Sequence, residues 1–160
     1  AYESLGAVLG RSGQAAMLMD RLEDRFAVLE QRVAGRFLGS VLILDANGFT
    51  VGRPSLVDKV LTRIGLTNVA VQLGVGDFGQ VTLEAVLLAE PDYMVRMFYR
   101  PDAPSLANQT LSHPAIVNFL GGQPMVPVPQ SWVSCGGPYL ADAAEQVLNA
   151  ITLKQRLSQP

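Results

Sequence analysis

The side chains in this sequence that are best suited to bind a ligand are aromatic and basic. They follow segments that are typical of buried strands. Aromatic faces accompanied by a few cations suit a flat or bulky ligand that carries carboxylates or delocalised charge. Any single one of these rings could also cap the hydrophobic core. Taken together they predict a ligand-binding site, whose candidate residues are Phe49, Arg53, Phe78, Tyr99, Arg100 and the only tryptophan, Trp132.

Glu84 is the candidate acidic residue beside this site. It lies in the first turn of a helix predicted over residues 81–89, where a carboxylate interacts favourably with the positive end of the helix dipole. Because it follows the loop of Phe78, we expect it at the rim of the same cleft. On the residues alone, a carboxylate at a rim is more often solvated and without a role.

Catalytic and metal-binding residues do not form a convincing set. The chain has one cysteine, Cys135, and one histidine, His113, which cannot build a zinc site or an intramolecular disulfide. The Cys135 thiol would need a base, and His113 precedes a proline in a context typical of capping or packing. Asp45 and Asp77 could form a carboxylate pair, although turn formation explains both. We therefore expect no catalysis, no metal and no cofactor.

A glycine-rich loop supplies an alternative function. Gly74, Gly76 and Gly79 match the G-x-G-x-x-G fingerprint of dinucleotide binding, between a predicted strand and a predicted helix. The helix is short because Pro91 ends it, and the next predicted strand does not end on a carboxylate for the ribose hydroxyls. Arg100 could bind the 2′-phosphate of NADP there, so an NADP-dependent oxidoreductase domain is the alternative hypothesis.

The composition excludes several classes of protein. The 160 residues fit a single domain, and 49% apolar with 16% charged residues excludes a disordered or collagenous chain. A net charge of −2 is not the basic surplus of a nucleic-acid binder. Charges interrupt each apolar run before it reaches roughly 18 to 20 residues, the length of a membrane span. The mean hydropathy of +0.25 is high, which we interpret as surface that a partner domain would cover.

The apolar pattern predicts an α/β fold. Strands and helices alternate behind a long leading helix, which predicts three layers, with a mainly parallel sheet of about four strands and helices on both faces. In such sheets ligands bind outside the carboxyl ends of the strands, where the candidate residues lie. The predicted strands cover residues 40–44, 68–72, 93–99 and the proline-rich edge strand 124–129, and the predicted helices cover 3–34, 54–64, 81–89, 105–111, 115–120 and 139–155.

The leading helix over residues 3–34 is amphipathic. Gly6, Gly10 and Gly13 weaken its first part by about 1 kcal/mol each relative to alanine. At about 1.5 Å per residue the full span reaches about 45 Å, which is longer than a small domain is wide. A helix that bridges two lobes is favoured over a coiled-coil arm, because the apolar stripe is wide and the heptads are few. The main stripe consists of Leu18, Leu22, Phe26, Leu29 and Val33, with Leu5, Val8 and Ala15 upstream.

Several short segments occur in a specific order and spacing along nearly the whole chain. They are residues 49–53 (FTVGR), 56–61 (LVDKVL) with Gly65, 68–70 (NVA), 81–87 (VTLEAVL), 90–92 (EPD), 111–114 (LSHP), 126–129 (VPVP) and 132–138 (WVSCGGP). Each segment is weak evidence by itself. Together they resemble the C-terminal lobe of the ABC-transporter substrate-binding proteins for ferric siderophores, haem and cobalamin.

This resemblance implies two α/β lobes that are joined by one long helix and hold ligand in the cleft between them. Residues 1–35 would be the connector and residues 36–160 the C-terminal lobe, with the N-terminal lobe absent from this chain. Glu84 would dock into an arginine pocket on the membrane permease. The cleft would be lined by Phe49, Phe78 and Trp132, with Arg53 and Arg100 as ligand contacts.

The resemblance also implies a function and a location. The protein would be a non-enzymatic importer component, periplasmic or otherwise extracytoplasmic and membrane-anchored, that delivers a ferric siderophore to a permease. Arg53, Tyr99 and Arg100 suit an anionic siderophore or haem propionates, while the rings equally suit cobalamin. The chain lacks a residue set that could hold bare iron. An isolated lobe should bind ligand weakly and should self-associate through its leading helix and bare apolar surface.

Overall fold

The strands build a four-stranded, all-parallel sheet and a small antiparallel ribbon. The computed structural model describes residues 2–98, 111–121, 125–134 and 136–157. The strands in these ranges are β1 (Gly39–Ile43), β2 (Phe49–Thr50), β3 (Leu66–Asn68), β4 (Gly79–Gln80), β5 (Tyr93–Phe98) and β6 (Val126–Pro129). The sheet has the order β3-β1-β5-β6, and β2 pairs with β4 in the ribbon.

Helices cover both faces of the sheet. In the same ranges they are α1 (Tyr2–Val8), α2 (Ser12–Val33), α3 (Leu56–Arg63), α4 (Val69–Gln72), α5 (Leu83–Ala89), α6 (Pro114–Phe119), α7 (Gln130–Ser134) and α8 (Tyr139–Leu157). Val41 and Ile43 of β1 belong to a core shared with α2, α3 and α8. Leu42 and Leu44 belong to a second core, shared with α4, α5 and α6. Burial on both faces explains the continuous apolar run of this strand. The predicted three-layer α/β architecture is confirmed.

The predicted long leading helix is present as α2, but it does not extend over residues 3–34, and that predicted range was wrong because the segment is broken. α1 ends at Val8 and α2 begins at Ser12, because Gly10 between them takes a left-handed conformation with φ of 64°. The two helices then pack closely against each other. A Cβ added at Gly6 would lie 2.5 Å from the Cβ of Ala15, so this approach requires glycine. The glycines therefore set a corner between two helices.

α2 packs on the lobe through its apolar stripe. Arg25 of α2 donates a hydrogen bond to Asp142 of α8 at 2.8 Å. The Arg63 guanidinium lies 4.4 Å from the centre of the Phe26 ring and forms an ion pair with Glu23 at 2.8 Å. This half of the leading segment is thus part of the fold of the lobe. The buried stripe residues are Leu22, Phe26, Leu29 and Val33.

Of the upstream part of the predicted stripe, Ala15 is buried, whereas Leu5 and Val8 are not. Leu5 and Val8 of α1 are 56% and 83% exposed, because the break at Gly10 ends the continuous stripe between α1 and α2. The division into a connector over residues 1–35 and a lobe over residues 36–160 stays a prediction.

Side-chain caps shift two element boundaries from their predicted places. The second strand was predicted over residues 68–72, but it ends at Asn68, whose side-chain oxygen accepts the N–H of Ala70 at 3.1 Å and starts α4. α3 begins after Ser55, whose hydroxyl oxygen accepts the N–H of Asp58 at 3.0 Å. Local hydrogen bonds of Ser and Asn compete with the apolar pattern and decide both boundaries.

The proline-rich segment forms an edge strand, as predicted. β6 lies at the end of the sheet order, where a proline without a backbone N–H is tolerated. The helix predicted over residues 105–111 falls outside the described residues, apart from Leu111. None of the described helices is both long enough and apolar enough to cross a membrane.

Replacing Phe26 by alanine should lower the free energy of unfolding by about 3 to 5 kcal/mol, because it removes a buried ring and leaves a cavity. Val28→Ala on the same helix, where the side chain is 57% exposed, is the control and should change it by less than about 0.5 kcal/mol. Urea unfolding followed by circular dichroism measures both. Equally small effects would show that α2 unfolds independently of the lobe.

Candidate functional site

Two exposed phenylalanines lie on the β2–β4 ribbon, which follows β1 at the carboxyl edge of the sheet. Phe49 begins β2 and is 49% exposed, while Phe78 directly precedes β4 and is 74% exposed. Phe49 pairs with Gln80, two residues along the partner strand from Phe78. The structure therefore brings these two predicted ligand residues together on one ribbon. Two-residue strands have no recognisable sequence pattern, so the ribbon itself was not predicted.

The backbone around these rings is fixed by close contacts. The Gly52 N–H donates to the Gly76 carbonyl at 2.9 Å, and a Cβ on Gly52 would lie 2.1 Å from the Val75 carbonyl oxygen. The buried side chain of Asn68 donates from Nδ2 to the Val51 carbonyl at 2.9 Å and ties this segment to the end of β3. The sheet therefore holds both aromatic loops in place.

Arg53 is exposed but held by an acidic partner. Its Nε donates to Oδ2 of Asp58 at 2.9 Å, with the Arg53 side chain 63% exposed and the Asp58 side chain 6% exposed. The ion pair orients the guanidinium and leaves its outer part accessible to a ligand. Asp58 was not among the predicted site residues. Its only signal in the sequence is a carboxylate in the first turn of the helix that follows the arginine.

Trp132 also lies at the carboxyl edge, but it follows β6, the last strand in the sheet order. It is on α7, which directly follows β6, and it is half-buried against the core shared by α2, α3 and α8. β5 separates β6 from β1, so these two strands are about 10 Å apart at about 4.8 Å per strand. Trp132 is thus packed partly against the core, whereas Phe78 is largely exposed to solvent. Tyr99 and Arg100 follow β5 directly and lie outside the described residues.

The glycine-rich loop lacks the structural context of a dinucleotide site. It follows α4, where the fingerprint requires a strand, and it leads into β4, where the fingerprint requires a helix. α5 begins only at Leu83, after the N-cap residue Thr82. The loop amides therefore do not lie at a helix N-terminus that could bind a pyrophosphate. This geometry contradicts the NADP-dependent oxidoreductase hypothesis.

Two of the other candidates for catalysis, His113 and Asp45, have structural roles. Nδ1 of His113 accepts the N–H of Ala115 at 3.2 Å and caps α6. The Asp45 carboxylate accepts the N–H of Ala46 at 2.7 Å in a short 3₁₀ turn. Cys135 lies outside the described residues. Within the described ranges, His, Cys, Asp and Glu form no group of three that could hold a metal ion.

Glu84 is exposed in the first turn of α5 and is held in its ionised form. Its own backbone N–H and then the Thr82 hydroxyl lower the pKa of the Glu84 carboxyl, and His113 adds a smaller electrostatic contribution. Each interaction favours the carboxylate over the protonated form. The structure thus presents an exposed negative charge in the first turn of α5.

Solved structures similar to this chain are transport-associated binding proteins, while no model of a known protein family and no curated protein match it. The chain is 23% identical to an ABC-type Fe3+-hydroxamate transport system from Saccharomonospora viridis, over 94% of this chain and 53% of that one, with a TM-score of 0.77. It is 19% identical to a periplasmic haem-binding protein from Roseiflexus, over 94% and 60%, with a TM-score of 0.72. It is 20% identical to a molybdate periplasmic binding protein from Haemophilus influenzae, over 97% and 48%, with a TM-score of 0.74.

These comparisons establish the fold. The chain has the α/β fold of the periplasmic binding proteins of ABC transporters, and it spans between 48% and 60% of the length of these three chains. The resemblance inferred from the sequence is confirmed at the level of the fold, and the coverage is consistent with a single lobe.

Thr82→Ala should raise the pKa of Glu84 towards its ordinary value, because it removes the hydroxyl that favours the carboxylate. Thr82→Ser keeps a hydroxyl at the same position and should leave the pKa close to that of the unmodified chain. Carbon-detected NMR titration of the Glu84 carboxyl measures both variants. A pKa in Thr82→Ala equal to that in Thr82→Ser would remove Thr82 from the cause of the shift.

Proposed function

We propose that this chain is one lobe of the substrate-binding component of an ABC importer and that it binds a metal chelate at its carboxyl edge. The fold similarity over 94% of the chain to transport-associated binding proteins supports the class of protein. The exposed rings on the ribbon support the site. Like these neighbours, the protein would act outside the cytoplasm and would bind its ligand without chemical conversion.

The observation that carries the choice of ligand is the exposure of Phe78 on a loop that the sheet already holds in place. A ring that is 74% exposed offers an apolar face to a partner. Together with Phe49 and the oriented cation of Arg53, it suits a large ligand with an apolar body and anionic groups. A ferric siderophore fits this description best, and haem and cobalamin are the alternatives. A small oxyanion such as molybdate would need converging hydrogen-bond donors more than rings.

Half of the binding surface would come from a second lobe. The outer residues of the leading segment are apolar and exposed, which is the kind of surface that a second lobe would cover in a two-lobed protein. In the isolated chain we expect a second copy to cover it, and we expect weak binding of ligand. The exposed residues are Leu5, Val8, Leu9 and Met17, which are 56%, 83%, 61% and 56% exposed.

Glu84 is the proposed contact with the permease. Its carboxylate is exposed and ionised near neutral pH, as that of an ordinary glutamate is, so it can form a charge-assisted pair with an arginine on another protein. α5 also carries Leu88, which is 85% exposed and adds apolar area to the same helix. An exposed charge beside exposed apolar area suits a transient protein contact.

Phe78→Ala should weaken binding of a ferric trihydroxamate chelate by about tenfold, because truncation of a ring at the centre of a binding surface has an effect of this order. Phe37→Ala is the matched control, since Phe37 is 71% exposed but precedes β1 at the opposite edge of the sheet. Quenching of the single tryptophan, Trp132, reports binding.

Haem, cobalamin and molybdate are titrated in parallel with the hydroxamate to rank the ligand classes. Equal affinities of the Phe78→Ala and Phe37→Ala variants would contradict the proposed site. Tighter binding of molybdate than of all three bulky ligands would contradict the proposed class of ligand.

Glu84→Lys should abolish uptake in the longer, two-lobed protein while leaving ligand affinity unchanged, because it places a cation opposite the proposed arginine pocket. Glu90→Lys makes the same change of charge at the other end of α5 and should transport normally. Uptake of labelled chelate by cells measures both variants. Unchanged uptake with Glu84→Lys would refute the docking role, while the ligand-binding proposal would stand on its own titrations.

A further inference from the structure

A cavity of about 250 Å³ opens at the edge of the sheet opposite to the aromatic rings. It lies between the C-terminal ends of α2 and α8, beside the segment that leads into β1. Its lining combines the apolar residues Val33, Leu38 and Leu148 with the basic residues Arg32, Arg36 and Arg156. At about 3.3 Å per residue, the five residues of β1 separate this cavity from the carboxyl edge by about 16 Å.

The three arginines differ in how far their donors are already used. Arg32 donates to Asn149 at 2.6 Å and lies 3.7 Å from Glu145, so it is anchored. Arg36 donates only its Nε, to the Val33 carbonyl at 3.2 Å, among the hydrogen bonds of the described residues. For Arg156 the same part of the structure shows no hydrogen bond or ion pair to a protein group. Two guanidinium groups therefore retain most of their donors.

The local fold accounts for cations near the cavity but not for the cavity itself. Basic residues stabilise the C-terminal ends of helices, which explains why α2 and α8 end with arginine in the last turn. This effect does not require an open space with an apolar lining between the two ends. No acidic side chain of the described residues lines the cavity, so its positive charge is not neutralised from within.

We propose that this cavity binds a phosphomonoester, with the phosphate on Arg36 and Arg156 and the organic substituent on the apolar lining residues. Guanidinium groups match phosphate oxygens bidentately, and a dianion balances two of them. The volume corresponds to about eight water molecules at about 30 Å³ each, which is enough for a phosphate and a small substituent. The site is separate from the chelate site and does not depend on the proposed function.

The same phosphate chemistry occurs in soluble metabolites and in the headgroup of phosphatidic acid. Phe37, next to Arg36 in the sequence, is 71% exposed, and Leu153, next to the cavity residue Thr152, is 59% exposed. These apolar side chains beside the cations would contact acyl chains if a lipid were the source. The experiment below distinguishes the two sources.

Isothermal titration calorimetry with phenyl phosphate tests the site, with phenol as the probe that lacks the phosphate. We expect saturable binding of phenyl phosphate, no binding of phenol, and a loss of affinity of at least about tenfold in the double variant Arg36→Ala/Arg156→Ala. Arg21→Ala and Arg36→Lys are the controls. Arg21 is exposed on α2 away from the cavity, so the Arg21→Ala variant should bind phenyl phosphate as the unmodified chain does. The Arg36→Lys variant keeps the positive charge but loses the bidentate guanidinium group.

Co-sedimentation with phosphatidylcholine vesicles, with and without phosphatidic acid, identifies the source of the phosphate. Binding only to vesicles with phosphatidic acid, lost in the double variant, assigns a lipid headgroup, and binding of phenyl phosphate without vesicle binding assigns a soluble ester. Thermal melting of the double variant close to that of Arg21→Ala excludes unfolding as the cause of a loss. The proposal would be overturned if neither phenyl phosphate nor vesicles with phosphatidic acid were bound, or if the double variant bound them equally well.

Discussion

The burial of the α2 stripe against α8 and one face of the sheet is the interaction on which the rest of the structure depends. Phe26, Leu29 and Val33 fill the core that this face shares with α3 and α8. Burying side chains of this size contributes about 1.5 to 3 kcal/mol each, which exceeds what the exposed ion pairs around α2 can add. Because α2 is fixed in this way, α1 is held at the corner set by Gly10, and its apolar side chains remain exposed.

The parallel sheet places the aromatic rings and the arginine cavity at opposite edges. The four strands of the sheet are parallel and end at one edge, and the described rings of Phe49, Phe78 and Trp132 lie on the elements that follow β1 and β6 at that edge. The opposite edge receives the C-terminal ends of α2 and α8, which attract cations and carry the arginine cavity. The two proposed sites therefore lie at opposite ends of one layered unit, and occupying one leaves the other accessible.

Within the proposed aromatic site, buried polar groups hold the backbone and Arg53 in place, and the exposed groups are the proposed ligand contacts. Asp58 is buried and orients Arg53, and Asn68 is buried and holds the backbone at Val51. Such polar groups stay in the interior because each has a hydrogen-bonding partner. The exposed rings can then meet a ligand without reorganisation of the loops that carry them, which lowers the entropic cost of binding.

The sequence by itself determined the α/β class, the parallel sheet with β6 at its edge, and the carboxyl edge as the place of the rings, because apolar periodicity and proline chemistry are local properties. It also identified the family whose fold the chain shares. Tertiary structure alone decided the corner at Gly10. Whether a helix continues through a glycine or breaks there depends on the helix that packs beside it. Tertiary structure alone also paired β2 with β4, placed Asp58 under Arg53 and gathered arginines from α2 and α8 around one cavity. Those groups are far apart in the chain or carry no periodic signal, and only the packing of the layers brings them together.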